Sequence, residues 1–192
     1  MLLAISAAAG VTKPQPAGGG ETASLARELM QLSPSVRPAE ALRIAQSAEA
    51  TSRTLARRYR VVGPALFHNF LVNTGFRQRG LCFQWAEDLL AQLQTVKRES
   101  LELHWGVARA GTWREHNCVV VVAEGRPFRS GIVLDAWRHA GHLYWAPVAL
   151  DHYPWLEDHS EYVRQRLRRG TATAQSRPFT RKWLRRAEVT FR

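Results

Sequence analysis

Three side chains in this chain are of types that together carry out nucleophilic chemistry. Cys82 follows a glycine in "RGLCFQWAEDLL" and opens a helical pattern; His116 opens "HNCVVVV"; Asp135 ends the apolar run in "GIVLDAW". A cysteine attacks as its thiolate, and the unpaired N–H groups and dipole of a helix N-terminus favour that anion. A nearby imidazole favours it further and can protonate a leaving group. A carboxylate on the imidazole's other nitrogen fixes its tautomer. The chemistry so implied is attack on a carbonyl carbon, a thioester intermediate, and its resolution by water or an amine.

Each residue also has a plainer reading. Cys82 shares the apolar face of its helix, where free cysteines are often simply buried. His116 could be a strand-end residue bonded to a turn. Asp135 is the most telling of the three, because a carboxylate inside an apolar strand needs a partner. Trp137 shares its strand face and would shield or pack against it. Cys118 shares a face with His116, Val120 and Val122 and reads as core. A Cys82–Cys118 bridge is open to the chain in an oxidising compartment, at the expense of the thiol.

Whether His116 meets Asp135 depends on the hairpin between their strands. A turn at 124–127 puts them directly across from each other on one face. A loop at 125–130 keeps the face but leaves them four residues apart, about 13 Å, part of which a bulge would close.

The elements that must position these groups follow an α+β order. Residues 1–22 are rich in Ala, Gly and Pro and read as a disordered tail or signal-peptide remnant. Residues 23–63 read as a helical N-terminal extension. It holds one helix with Leu25, Leu29 and Leu32 at helical spacing. A longer one starts at Pro38, with a stripe of Ala41, Leu42, Ala45, Ala48 and Leu55. Residues 64–158 read as the core. A helix between Pro64 and Gly75 is followed by the Cys82 helix. Trp85, Ala86, Leu89, Leu90, Leu93 and Val96 share the Cys82 face, with Gln84, Glu87, Asp88 and Gln92 opposite. Strands then follow at "LELHWGVAR", "HNCVVVVA", "GIVLDAWR" and "HLYWAPVAL", with turns at Gly111, Gly125 and Gly141 that favour an antiparallel meander. Residues 159–192 form a basic segment with a helix at 159–169.

The order of a cysteine at a helix start, a histidine at a strand start and an aspartate on the next strand resembles the transglutaminase-like branch of the papain-like cysteine-peptidase superfamily. The carrying motifs are "GLCFQWAEDLL", "EHNCVVVV" and "IVLDAW", at separations of 34 residues (82 to 116) and 19 (116 to 135). Bacterial cell-wall peptidases of the NlpC/P60 type have the same order. The resemblance spans roughly 64–150 and implies a Cys-bearing central helix packed on an antiparallel sheet, with a Cys82–His116–Asp135 triad. It also implies an oxyanion site made by the Cys82 backbone N–H and an upstream side-chain amide, Gln78 or Asn73. Neither family requires the helices before residue 64. The function expected is a thiol-dependent hydrolase or acyltransferase acting on amide bonds. A peptidase or amidase is favoured, since hydrolysis needs no second substrate pocket.

The alternative is a non-catalytic basic module on the same fold, for cell-wall polymer or nucleic acid. The 192 residues carry a net charge of +11, which favours anionic partners. The arginines of "RQRLRRG" and "RKWLRR", interleaved with Phe179 and Trp183, suit an anionic polymer or a solvated basic face equally. No cofactor is expected. His104, His139, His142 and His152 lack a ligand spacing, no acidic loop suggests calcium, and there is no P-loop or dinucleotide fingerprint. No apolar run approaches the length of a membrane span. "LLAIS" before "AAAG" implies export to the periplasm or medium if residues 1–10 are a truncated signal peptide, and a cytoplasmic protein otherwise.

Overall fold

The computed structural model describes residues 20–168. Four helices come first: α1 Gly20–Gln31, α2 Pro38–Arg58, α3 Ala65–Asn73 and α4 Cys82–Leu93. The strands follow: β1 Leu101–Ala108, β2 His116–Ala123, β3 Ile132–His139, β4 His142–Pro147 and the short β5 Leu156–Glu157. A last helix, α5, covers Glu161–Arg168. The protein is α+β, helical first and strand-rich second.

The helices start and stop where local chemistry demands. Pro38 occupies the first turn of α2, where its missing N–H costs nothing. Pro64 caps α3 from an extended conformation. In α2 the buried apolar stripe is Ala41, Ile44, Ala45, Ala48 and Leu55, whereas Leu42 is exposed. Helical spacing selects Ile44 because Leu42 lies about 100° round the helix from Ala41.

The strands form one antiparallel sheet in the order β4-β3-β2-β1-β5. The meander β1 to β4 is as expected, and β5 adds to its outer edge by pairing with β1 at Gly106 and Val107. All of β2 is buried, because both sheet faces are covered. Val119, Val121 and Ala123 join Leu89, Leu90 and Leu93 of α4. On the other side Cys118, Val120 and Val122 meet Phe128, Val148 and Trp155. Both cysteines are free thiols.

Leu25 and Leu29 of α1 and Ile44 of α2 belong to the same cluster as α4 and the sheet. The boundary read at 63/64 is therefore not a break in the core. Gly141, at φ 101°, lets the β3–β4 turn sit against α2, since a Cβ there would lie 2.3 Å from that of Ala56. Ser52 closes the contact by donating to the Gly141 carbonyl at 3.0 Å. A second tie is Glu40 of α2, whose buried carboxylate accepts from the backbone N–H groups of Glu99, Ser100 and Leu101. Truncating a core leucine such as Leu89 costs about 2–5 kcal/mol.

Candidate active site

Cys82 is the first helical residue of α4, and the backbone before it is pinned from three sides. His68 Nε2 lies 3.0 Å from the Arg79 carbonyl. Trp85 Nε1 donates to the Gly80 carbonyl at 3.0 Å. Gln84 Oε1 accepts from the N–H groups of Gly80 and Leu81, at 2.7 and 3.1 Å. Gln84 thus ties the N–H groups just before the helix, while Leu81, which has no side-chain acceptor, leaves the first turn without a side-chain cap. Gly80 has φ 134° and a Cβ there would fall 2.3 Å from the His68 ring, so only glycine fits. Gln84 does not lie on the solvent face that its helical position predicts. It is buried, drawn inward by two otherwise unpaired donors.

The far side of α4 is tied by charge. Arg79 donates to Asp88 at 2.9 Å, and Tyr59, the residue that caps the end of α2, donates to the other oxygen of Asp88 at 2.6 Å. Glu87 pairs with Arg166 of α5. The helix that carries the thiol is thus fixed to α2, to its own preceding loop and to α5.

His116 is 2% exposed and its Nε2 lies 2.6 Å from Asp135 Oδ2. The ring stacks at an angle against Trp137, Tyr153 and Trp155, with centroids 4.7, 4.8 and 5.3 Å away. Trp137 packs on the ring from the strand face it shares with Asp135; Tyr153 and Trp155 come from the segment leading into β5. The register of the hairpin falls between the two that were weighed. Val119 pairs with Leu134 and Val121 with Ile132, which sets Asp135 diagonally across from His116 rather than opposite or four residues away. The connection is neither loop considered, because it contains a 3-10 turn over Phe128–Ser130.

Asp135 is 1% exposed and fully bonded. The β3–β4 ladder shifts register after Asp135. This bulge turns the N–H groups of Trp137 and Arg138 onto Asp135 Oδ1, each at 3.0 Å. Arg138 Nε meets Oδ2 at 3.0 Å. Its two terminal nitrogens grip Asp151 at 2.9 and 2.7 Å, and Trp155 Nε1 donates to Asp151 at 2.7 Å. A chain of alternating charge therefore runs from His116 through Asp135 and Arg138 to Asp151.

The electrostatics follow from this chain. Burial alone would lower the His116 pKa, but the Asp135 carboxylate outweighs it, with a smaller share from Cys82, and lifts it to about 9. Burial pushes Asp135 upward, yet the His116 and Arg138 cations hold it below the usual carboxylate range. His116 Nδ1 is buried and makes no hydrogen bond.

The Cys82 thiol is partly exposed. Its Sγ lies 3.6 Å from the Glu115 carbonyl and 3.9 Å from Asn117 Nδ2. The structure thus brings Cys82, His116 and Asp135 to one place. Gln78 and Asn73 are exposed on the loop and helix end before Gly80. The side-chain amide at the sulfur belongs to Asn117. Trp105 Nε1, a donor only, holds Asn117 Oδ1 at 2.8 Å and so turns the NH2 group toward the sulfur and toward Glu115 Oε1, to which it donates at 3.2 Å. Strand parity was the signal for it. Asn117 alternates with His116 and faces the α4 side with Val119. Beside it a cleft of about 100 Å³ is lined by Phe83, Trp105, Glu115, Asn117, Asp158 and Tyr162. Among the described residues no three His, Cys, Asp or Glu side chains gather as metal ligands, and no helix is long and apolar enough to cross a membrane.

Comparisons with protein-family models, with curated proteins and with solved structures find no match to this chain.

Proposed function

We propose that the protein is a thiol-dependent hydrolase of amide bonds, a peptidase or amidase, with Cys82, His116 and Asp135 as its triad and a papain-like or transglutaminase-like core around them. The observation that carries this reading is the state of His116. One nitrogen is committed to a buried carboxylate while the other makes no hydrogen bond, and a partly exposed thiol acts on the same ring. His68 also keeps a buried Nδ1 without a partner, so what sets His116 apart is the combination of a buried carboxylate on one nitrogen and a thiol beside the ring.

At neutral pH the imidazolium favours the thiolate form of a neighbouring cysteine. The sulfur attacks the carbonyl carbon, and the negative charge moves to the carbonyl oxygen. The N–H groups at the α4 start and Asn117 Nδ2 are placed to receive that charge. As the tetrahedral species collapses, the C–N bond breaks and His116 Nδ1–H protonates the departing amine. The thioester remains on Cys82. Neutral His116 then takes a proton from water, hydroxide adds to the thioester, and the acid leaves as the thiolate and imidazolium re-form. Asp135 keeps the Nε2 proton throughout. An amine in place of water would make the same site an acyltransferase.

The net charge of +11 supports a second reading, a non-catalytic basic module on this fold for cell-wall polymer or nucleic acid. An electrophilic peptide-like amide probe separates the two. On the first reading mass spectrometry finds one adduct, on Cys82, absent in Cys82→Ala and slowed about 100-fold or more in His116→Ala. Labelling of Cys82 at the rate of a free thiol, unaffected by His116→Ala, leaves only the second.

A further inference from the structure

Of the large hydrophobic side chains exposed among the described residues, five cluster at α3 and the loops flanking it: Val62, Leu66, Phe67, Phe70 and Phe76. Leu66 and Phe76 are 73% and 72% exposed, and Phe67 stacks on Phe70 with centroids 6.4 Å apart. Only Ala65 and His68 of this helix are buried. An apolar face of this size is unusual on a folded surface without a partner.

The charge around it identifies the partner. Between residues 50 and 86 the chain has six arginines and not one Asp or Glu. Arg53, Arg58 and Arg79 pair with Glu49, Asp88 and Glu87 just outside that stretch, whereas Arg60 and Arg77, which adjoin the apolar cluster in sequence, make no ion pair among the described residues. Apolar side chains protruding from a field of arginines suit the boundary of an anionic bilayer. There the rings and aliphatic groups enter the acyl region and the guanidinium groups meet phosphate. A second copy fits poorly, because face-to-face docking would oppose the unpaired Arg60 and Arg77 of one copy to those of the other. A single-stranded nucleic acid would use the rings but not Val62 or Leu66, which have no face for stacking.

We propose that α3 and its flanking loops form a docking face for an anionic lipid surface. The face also adjoins the thiol site. Asn69, on the same helix, accepts from Trp137 Nε1 at 3.0 Å, and Trp137 packs against His116. Docking would thus hold the site close to the bilayer. The proposal stands whether or not Cys82 is catalytic.

Vesicle co-sedimentation of the full chain tests it. Wild type is expected to bind vesicles containing about 30% phosphatidylglycerol at least about tenfold more tightly than neutral phosphatidylcholine vesicles. Leu66→Ser/Phe70→Ser should lose about tenfold or more on anionic vesicles. Phe76→Ser, in a loop, supplies the same test if the double variant unfolds. Arg60→Glu should weaken only the anionic binding, and Cys82→Ala should bind as wild type. The proposal is overturned if wild type ignores lipid charge or if the apolar substitutions leave binding intact. It is equally overturned if those substitutions instead disperse a concentration-dependent dimer or abolish oligonucleotide binding while vesicle binding survives.

Discussion

The thiol side and the imidazole side of the site are held by different forces. Around Cys82 the backbone of residues 79–81 is held by neutral bonds from the Gln84 amide, the Trp85 indole and the His68 ring, the ion pairs of α4 lie on its far side, and the sulfur remains partly open to solvent. Around His116 the fixing is ionic and long-range, through Asp135, Arg138 and Asp151 inside an aromatic wall. The sulfur can be lost without leaving a charge unpaired. The imidazole side cannot lose a member without stranding a buried ion, so chemistry and stability are coupled there and separable at Cys82.

The sharpest test of this contrast is to remove each carboxylate or thiol in turn. Cys82→Ala should abolish covalent labelling by the amide probe while thermal unfolding stays close to wild type, within about 1 kcal/mol. Asp135→Ala should both suppress labelling and destabilise the fold by about 3–5 kcal/mol, since it leaves Arg138 and His116 without their buried partner. Equal stability losses in the two variants would erase the contrast. Asn117→Ala should slow acylation by about 100-fold, the usual loss of one oxyanion donor, with a smaller effect on stability. A rate unchanged in Asn117→Ala would leave the amide a purely structural partner of Trp105. Gln84→Ala should cost about 1 kcal/mol, as lost bonds at a helix start do, and lower the labelling rate only through the position of Cys82.

The pH dependence of stability should differ in the same way. His116 has a folded pKa of about 9 against 6.5 when unfolded. Its contribution is complete below about 6.5 and is lost as pH rises through 9. Asp135 is shifted down, so its contribution is present above the ordinary carboxylate value of 3.8 and lost as pH falls through its lower folded value. Denaturant unfolding followed from pH 6 to 10 should therefore decline in wild type and flatten in His116→Gln. The same decline in both proteins would show that the imidazole is not the titrating group.

Much of the site's frame was legible in the residues. The helix at Cys82, the strand beginning at His116 and the next strand carrying Asp135 are all where periodicity places them. Parity put His116 and Asp135 on one face in every register weighed, so their meeting depended on one number, the length of the connection. Legibility stopped at the side-chain amides. Gln84 looked like a surface residue because periodicity cannot see the unpaired N–H groups of Gly80 and Leu81. Gln78 and Asn73 were plausible from their nearness in sequence, while the amide at the sulfur comes from the partner strand.

Local patterning, then, determined which segments are helix and strand, which side of β2 each residue faces, and which three groups were candidates for chemistry, because these follow from backbone geometry repeated every few residues. Tertiary structure decided the diagonal pairing of His116 with Asp135, the bulge that wraps Asp135 in donors, the Arg138–Asp151 clamp behind it and the choice of Asn117 beside Cys82. Those contacts join residues far apart in the chain. Their distances depend on how the helix start docks against the twisted sheet, which no repeat in the sequence encodes.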